Sequence, residues 1–179
     1  MSDSSASNPF DTLGLPPSYR VDRDQIERAY RTRLASTHPD AGGDEGGADS
    51  AALNDARAIL LDDEQRAVAL LDLFGGPDAS LCKDLPEGFL MQMMMQREAI
   101  EEAIESGGEE ERRQWEQWGL EQRSSKRDWI EALFEALDAQ SDDESLRTIR
   151  VELNAWRYIE RLIEQLDSDY DPSVADFGR

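Results

Sequence analysis

Leu146, Ile149, Leu153, Trp156, Glu160 and Ile163 step along the chain by threes and fours, a spacing that only an α-helix gathers on one side. Alternating Val, Ile and Thr, the pattern that would argue for strands, is found nowhere in the 179 residues. With 33% charged and 39% hydrophobic residues, the chain is expected to be all-α and to bury a real core. A short helix is expected from Asn8 to Leu13, stopping at Gly14 ahead of Pro16 and Pro17. A second begins with Asp22 as its N-cap, ends near Thr37 and carries Ile26, Tyr30 and Leu34 as its apolar stripe. After a glycine-rich, acidic loop, one long helix is expected from about Asp49 to Phe74, presenting Leu53, Ala56, Leu60, Leu70 and Leu71. Gly75, Gly76 and Pro77 end it, and residues 77–85 read as a linker. Three further helices, near 86–106, 109–139 and 142–168, are joined by turns short enough for an antiparallel three-helix bundle. Residues 1–7 and 169–179 read as tails, the first disordered.

Charge and chemistry narrow the function classes. A formal net charge of −21 repels nucleic acid and anionic membranes, so neither is expected as a partner. Met1 to Ser7 are polar, without a signal-peptide stretch, and no apolar run is long enough to span a bilayer; a cytoplasmic protein is expected. Cys82 is alone, which rules out an intrachain disulfide and suits a reducing compartment. One His and one Cys, with no ligand spacing for zinc or an iron–sulfur cluster, leave no expected cofactor, metal or catalytic residue. The loop from Gly42 to Gly47 lacks the Lys-Ser/Thr ending of a phosphate cradle, and its carboxylates would repel phosphate. Asp167, Asp169 and Asp171 open like a calcium loop, but Pro172 and Gly178 stand where that loop needs a glycine and a bidentate Glu.

The sole histidine belongs to the tripeptide His38-Pro39-Asp40, directly after the second helix. Pro39 disfavours the α-region for His38 and supplies no amide donor, so the imidazole and the Asp40 carboxylate are presented together at the head of a loop. A helix-ending proline behind a surface histidine would read the same way. The helix before it, however, carries Arg20, Arg23, Arg28, Arg31 and Arg33 against Asp22, Asp24 and Glu27, a net-positive stretch in a very acidic chain. This combination resembles the J domain, whose second helix and loop dock on the ATPase unit of DnaK-type chaperones. The resemblance covers Phe10 to Leu15, Ala29-Tyr30-Arg31, His38-Pro39-Asp40, Leu53, Asn54 and Ala56.

Arg66-Ala67, followed by Leu70-Leu71, Leu73 and Gly75, is similar to the end of the J domain in HscB, the co-chaperone family of iron–sulfur cluster assembly. Phe89-Leu90-Met91, Met94, Arg97-Glu98 and Glu102 resemble the opening of that family's C-terminal domain, and Leu153 to Leu162 its final helix. The resemblance implies an N-terminal helical J domain over 8–76 and a C-terminal three-helix domain over 86–168. It also implies a co-chaperone that stimulates the ATPase of a DnaK- or HscA-type chaperone and delivers to it an IscU-type scaffold protein. His38, Pro39, Asp40, Arg28 and Arg31 would then face the chaperone. Leu90, Met91, Met94, Glu98, Glu102 and Tyr158 would face the scaffold.

Periodicity points independently to a second face. Six of the seven residues from Phe89 to Met95 are apolar, more than one core stripe needs. At about 100° per residue, Phe89, Met93, Ile100 and Ile104 share one side, and Leu90, Met91, Met94, Glu98 and Glu102 the other. Tyr158 falls opposite the seam through Trp156, together with Val151 and Leu162. The competing reading buries both sides, or packs the second stripe on the N-terminal module. Departures from the family pattern are Ser36, Thr37 and Ala41 at usually basic positions, Arg57 for an aromatic, Arg33 for an apolar residue, and Met95 for a frequent Glu. A J domain recruiting another client and a structural dimer built on the methionine stripe stay open. A scaffold binder is expected to be a monomer alone.

Overall fold

The computed structural model describes residues 8–36, 45–106, 108–137 and 142–165, and all regular structure among them is helical. Helix α1 spans Pro9–Leu13; the Asn8 side chain accepts the Phe10 N–H at 3.0 Å and Pro9 starts the turn, where its missing donor costs nothing. Gly14 closes it in the left-handed region at φ 69°, and its N–H reaches the Asp11 carbonyl at 3.0 Å. Helix α2, Arg23–Ser36, opens on a reciprocal cap: Asp24 N–H donates to the Asp22 carboxylate at 3.3 Å, and Asp22 N–H to Gln25 Oε1 at 3.1 Å. Ile26 is buried and Tyr30 half-buried, but residues 31–36 are all exposed. Leu34 therefore lies outside the core, contrary to the stripe read from its spacing, since no described side chain packs the last turn of α2 into the cluster that holds Ile26.

The long helix expected from about Asp49 to Phe74 is two, α3 over Glu45–Leu61 and α4 over Asp63–Leu73. Asp62 breaks it, with extended ψ of 122° and a side chain that accepts the Gln65 N–H at 2.8 Å as the N-cap of α4. The buried Arg66 ties this corner together. It donates to the Leu60 carbonyl at 2.7 Å, to the Tyr19 carbonyl at 3.0 Å and to the Asp63 carboxylate, and it stacks on the Tyr19 ring at 5.0 Å.

Helices α5 (Phe89–Ser106), α6 (Glu109–Ala136) and α7 (Asp143–Glu164) make the C-terminal part. Asp142 caps α7 by accepting the Ser145 N–H at 2.6 Å. Gly119 lets α6 come close to α7, since a Cβ there would sit 3.1 Å from Ile163. One side of α7, with Leu146, Ile149, Leu153 and Trp156, shares a single core with Phe10, Leu13, Ile26, Leu60, Leu70 and Leu71 of the N-terminal helices. Another side, with Ala155, Ile159 and Leu162, packs on Phe89, Met93 and Ile100 of α5. Leu162 is thus core and not a companion of Tyr158 on an outer face, since α5 covers the flank that a single-helix projection leaves open.

Residues 77–85 are strapped to α7. Arg150 Nε donates to the Pro77 carbonyl at 3.0 Å, and Asn154 Nδ2 to the Cys82 and Asp84 carbonyls at 2.9 and 3.0 Å. The Arg147 guanidinium donates to the Asp84 carboxylate at 2.5 Å, and Cys82 is buried. Across the junction, Phe134 of α6 meets the Tyr19 ring at 5.7 Å and the Phe74 ring at 6.4 Å. Arg20 pairs with Glu131 and, at 2.6 Å, with Glu135.

Glu64 sits at the same junction with Asp62, Glu160 and Glu164 around it and Arg157 at 3.9 Å; burial first, then these carboxylates, push it up from 4.5 to about 7. Two outcomes follow from these contacts. Arg66→Ala removes the buried guanidinium that donates to the Leu60 and Tyr19 carbonyls, the latter keeping only the Val21 N–H, and is expected to cost about 2–4 kcal/mol in urea denaturation. For Glu64, a folded-state value above the unfolded one means that its contribution favours the fold fully below pH 4.5 and is lost as pH rises through about 7. Glu64→Gln should therefore melt higher than the parent above pH 7, with the gap closing as pH falls toward 4.5, read as Tm against pH.

Candidate protein-docking faces

The N-terminal turn of α5 is held by Phe89, which packs edge-on against Tyr158 at 6.0 Å and lies under the Lys126 ammonium at 5.7 Å. Lys126 is itself fixed by Glu152 at 2.6 Å. That anchoring decides which way the rest of the helix points. Phe89, Met93 and Ile100 are 7%, 1% and 0% exposed, whereas Leu90, Met91, Met94 and Met95 are 48%, 73%, 57% and 66% exposed. The second apolar stripe is therefore neither buried in the bundle nor covered by the N-terminal helices.

Glu98 and Glu102 are exposed one and two turns beyond Met94 on the same side of α5. Tyr158 is half-buried and packs on the buried Phe89, on the side of α5 that faces the core. Of the six residues expected to form one surface, Leu90, Met91, Met94, Glu98 and Glu102 are exposed along α5. Met95 belongs with them by exposure, although the sequence reading marked it only as a departure; its spacing of four from Met91 was the available signal.

The second face lies on α2. Arg23, Arg28 and Arg31 are exposed, and Arg28 Nε donates to the Asp24 carbonyl at 3.1 Å within its own helix. The other two arginines of the basic stretch are used internally. Arg20 is drawn to α6, and Arg33 lies over Gly14, where a side chain in place of the glycine hydrogen would strike the guanidinium. Arg57 holds α2 to α3 in place of the expected aromatic ring. It grips Glu27 with two bonds of 3.1 and 2.5 Å and stacks on Tyr30 at 5.2 Å, while Tyr30 donates to Asn54 Oδ1 at 2.7 Å. These hydrogen bonds hold the Glu27 carboxyl below its usual range, so the acid inside the basic stretch is committed to Arg57. His38, Pro39 and Asp40 lie outside the described residues, as do Thr37, Asp167, Asp169 and Asp171; Ser36, the last residue of α2, stands two positions before His38.

Among the described residues no group of three or more His, Cys, Asp or Glu side chains is placed to hold a metal ion, and no helix is long and apolar enough to cross a membrane. The described surface thus carries one exposed apolar edge with acids along it and one helix with exposed arginines.

Comparison with known proteins bears on the whole chain. Residues 85–167 match the family model described as the HSCB C-terminal oligomerisation domain. The Co-chaperone protein HscB homolog of Azoarcus sp. strain BH72 is 30% identical over 169 residues, covering 88% of this chain and 90% of that protein. The homolog of Cupriavidus taiwanensis is 36% identical over 104 residues, which span 54% of this chain and 59% of that relative. The crystal structure of human co-chaperone protein HscB matches the fold with a TM-score of 0.71 at 20% identity, covering 93% of this chain and 83% of that one.

The two sides of α5 separate in a stability experiment. Phe89→Ala or Met93→Ala is expected to cost about 2–5 kcal/mol, while Leu90→Ala or Met91→Ala should stay within about 0.5 kcal/mol of the parent. Chemical denaturation of the four variants checks this.

Proposed function

The chain belongs to the HscB co-chaperone family, and from that premise we propose that it couples an ATPase chaperone to a client in iron–sulfur cluster assembly. Residues 8–76 act as the J domain, residues 86–168 as the client-binding domain, and 77–85 as the connection between them. The J domain stimulates ATP hydrolysis by a DnaK- or HscA-type chaperone, with His38, Pro39 and Asp40 as the trigger. Arg28 and Arg31, exposed on α2, steer the encounter with an acidic surface on the chaperone. The chain itself carries out no turnover and acts as a cytoplasmic monomer until it meets its partners.

The observation that carries this reading is the outward stripe of Leu90, Met91 and Met94, with Glu98 and Glu102 along it. Unbranched thioethers adapt to an irregular partner surface, and each apolar side chain, once covered, contributes about 1.5–3 kcal/mol. The two glutamates favour a partner with basic residues beside its apolar patch, which fits an IscU-type scaffold protein as the cargo. A second reading, self-association through the same stripe, draws on its exposure and on the description of the matched domain. Sedimentation of the protein alone at micromolar concentration separates the two, since a scaffold carrier remains monomeric.

The deciding experiment is a single-turnover ATPase assay with the organism's own chaperone, with and without the scaffold. His38→Gln is expected to abolish stimulation while helicity by circular dichroism is unchanged; full stimulation by the variant rejects the trigger. Leu90→Ala, Met91→Ala or Tyr158→Ala should weaken scaffold binding by about 1–3 kcal/mol in titration calorimetry.

A further inference from the structure

The stripe on α5 holds three methionines that are largely exposed and is accompanied, in the same seven-residue stretch, by a fourth that is buried. Met91, Met94 and Met95 are 73%, 57% and 66% exposed; Met93 is 1% exposed and sealed between Phe89, Ile100 and Ile159. Positions i, i+3 and i+4 of a helix are neighbours on its surface, so the three open thioethers form one patch with Leu90 beside it. Nothing in the fold of α5 depends on them, because the side chains that fasten this helix are on its opposite side.

We propose that Met91, Met94 and Met95 are a methionine-oxidation site that switches off client binding, a regulatory role that rests on the scaffold-binding reading of the same face. The chemistry is a two-electron oxygen transfer from a peroxide. The thioether sulfur attacks one peroxide oxygen; an S–O bond forms as the O–O bond breaks, and the second oxygen departs as hydroxide. The proton on the new S–OH passes to that hydroxide, giving a sulfoxide and water, with sulfur oxidised and the peroxide reduced.

Location gives the modification its consequence. A sulfoxide replaces an apolar, pliable side chain with a polar and chiral one. In the middle of the stripe its oxygen would be stripped of water when an apolar partner surface docks, a cost the thioether does not carry. Glu98 and Glu102 and the net charge of −21 also favour neutral oxidants such as hydrogen peroxide over anionic ones. The two faces thereby separate under oxidation: the folding side of α5, with Met93, is spared, and the docking side is altered.

The test treats the full-length protein with hydrogen peroxide, maps the products by peptide mass spectrometry and titrates parent and oxidised samples against the IscU-type scaffold. The expected result is one added oxygen on each of Met91, Met94 and Met95 while Met93 remains a thioether, with unchanged helicity and scaffold affinity reduced by about tenfold or more. The variant carrying Met91→Leu, Met94→Leu and Met95→Leu keeps the shape and apolar character of the patch. Its scaffold affinity, compared only with its own untreated value, should not change on peroxide treatment, and methionine sulfoxide reductase should restore binding to the oxidised parent. Oxidation of Met93 together with the others, lost helicity, or equal affinity before and after treatment overturns the proposal and leaves the scaffold reading standing. If the untreated parent does not bind the scaffold at all, the scaffold reading falls and takes the switch with it.

Discussion

Helix α7 is pressed from two directions, and the rest of the molecule takes its arrangement from that. Leu146, Ile149, Leu153 and Trp156 close the core of the N-terminal helices, while Ala155, Ile159 and Leu162 close a smaller one against α5. At about 1.5–3 kcal/mol for each large side chain removed from water, neither surface can be left open. The rotation of α5 about its own axis is fixed by the second packing, with Phe89 wedged between Tyr158 and Lys126. The outward direction of Leu90, Met91 and Met94 is therefore a consequence of what lies under Phe89 and Met93. Exposed stripe and core are two sides of one helix.

The arginines divide in a similar way. In a chain with net charge −21, cations are scarce, and most of those with assigned contacts serve the fold. Arg66 is caged at the α3–α4 corner, Arg57 fastens α2 to α3, Arg123 grips Glu160 with bonds of 2.6 to 2.9 Å, and Arg147 and Arg150 hold the 77–85 strap. Against that background the exposed Arg23, Arg28 and Arg31 of α2 stand out as positive charge facing solvent. A local field of that sign on an acidic protein orients an approaching acidic surface at distances comparable to the Debye length, roughly 8–10 Å.

Period and caps were legible in the sequence; contacts across the junction were not. The three-and-four spacing from Leu146 to Ile163 placed α7, and the surplus of apolar residues from Phe89 to Met95 revealed that α5 has two sides. The break at Asp62 was hidden because no Gly or Pro marks it and the apolar rhythm that pauses after Leu61 resumes at Ala67, Val68, Leu70 and Leu71. The local sign of the break, an Asp followed three residues later by Gln65, competes poorly with that rhythm. Leu162 was misplaced because projection of one helix knows only the seam it starts from, and a second covering helix lies outside its reach. The strapping of the 77–85 linker to α7 was hidden for a related reason. Its hydrogen bonds come from Arg150 and Asn154, some 70 residues later, and carry no local pattern. Family resemblance, by contrast, survives such gaps because it compares residues across the entire length at once.

The common core across the junction bears on how a chain like this one can evolve. Modules that merely hang on a tether can be cut out by recombination and spliced beside new neighbours. Here Ile130, Leu146, Ile149, Leu153 and Trp156 fill space between Leu60, Leu70 and Leu71, so each half, transplanted, would carry away an oily scar. Change in such a lineage would be confined to point substitutions on exposed sides such as the outer face of α5, keeping the two halves welded as an inherited pair.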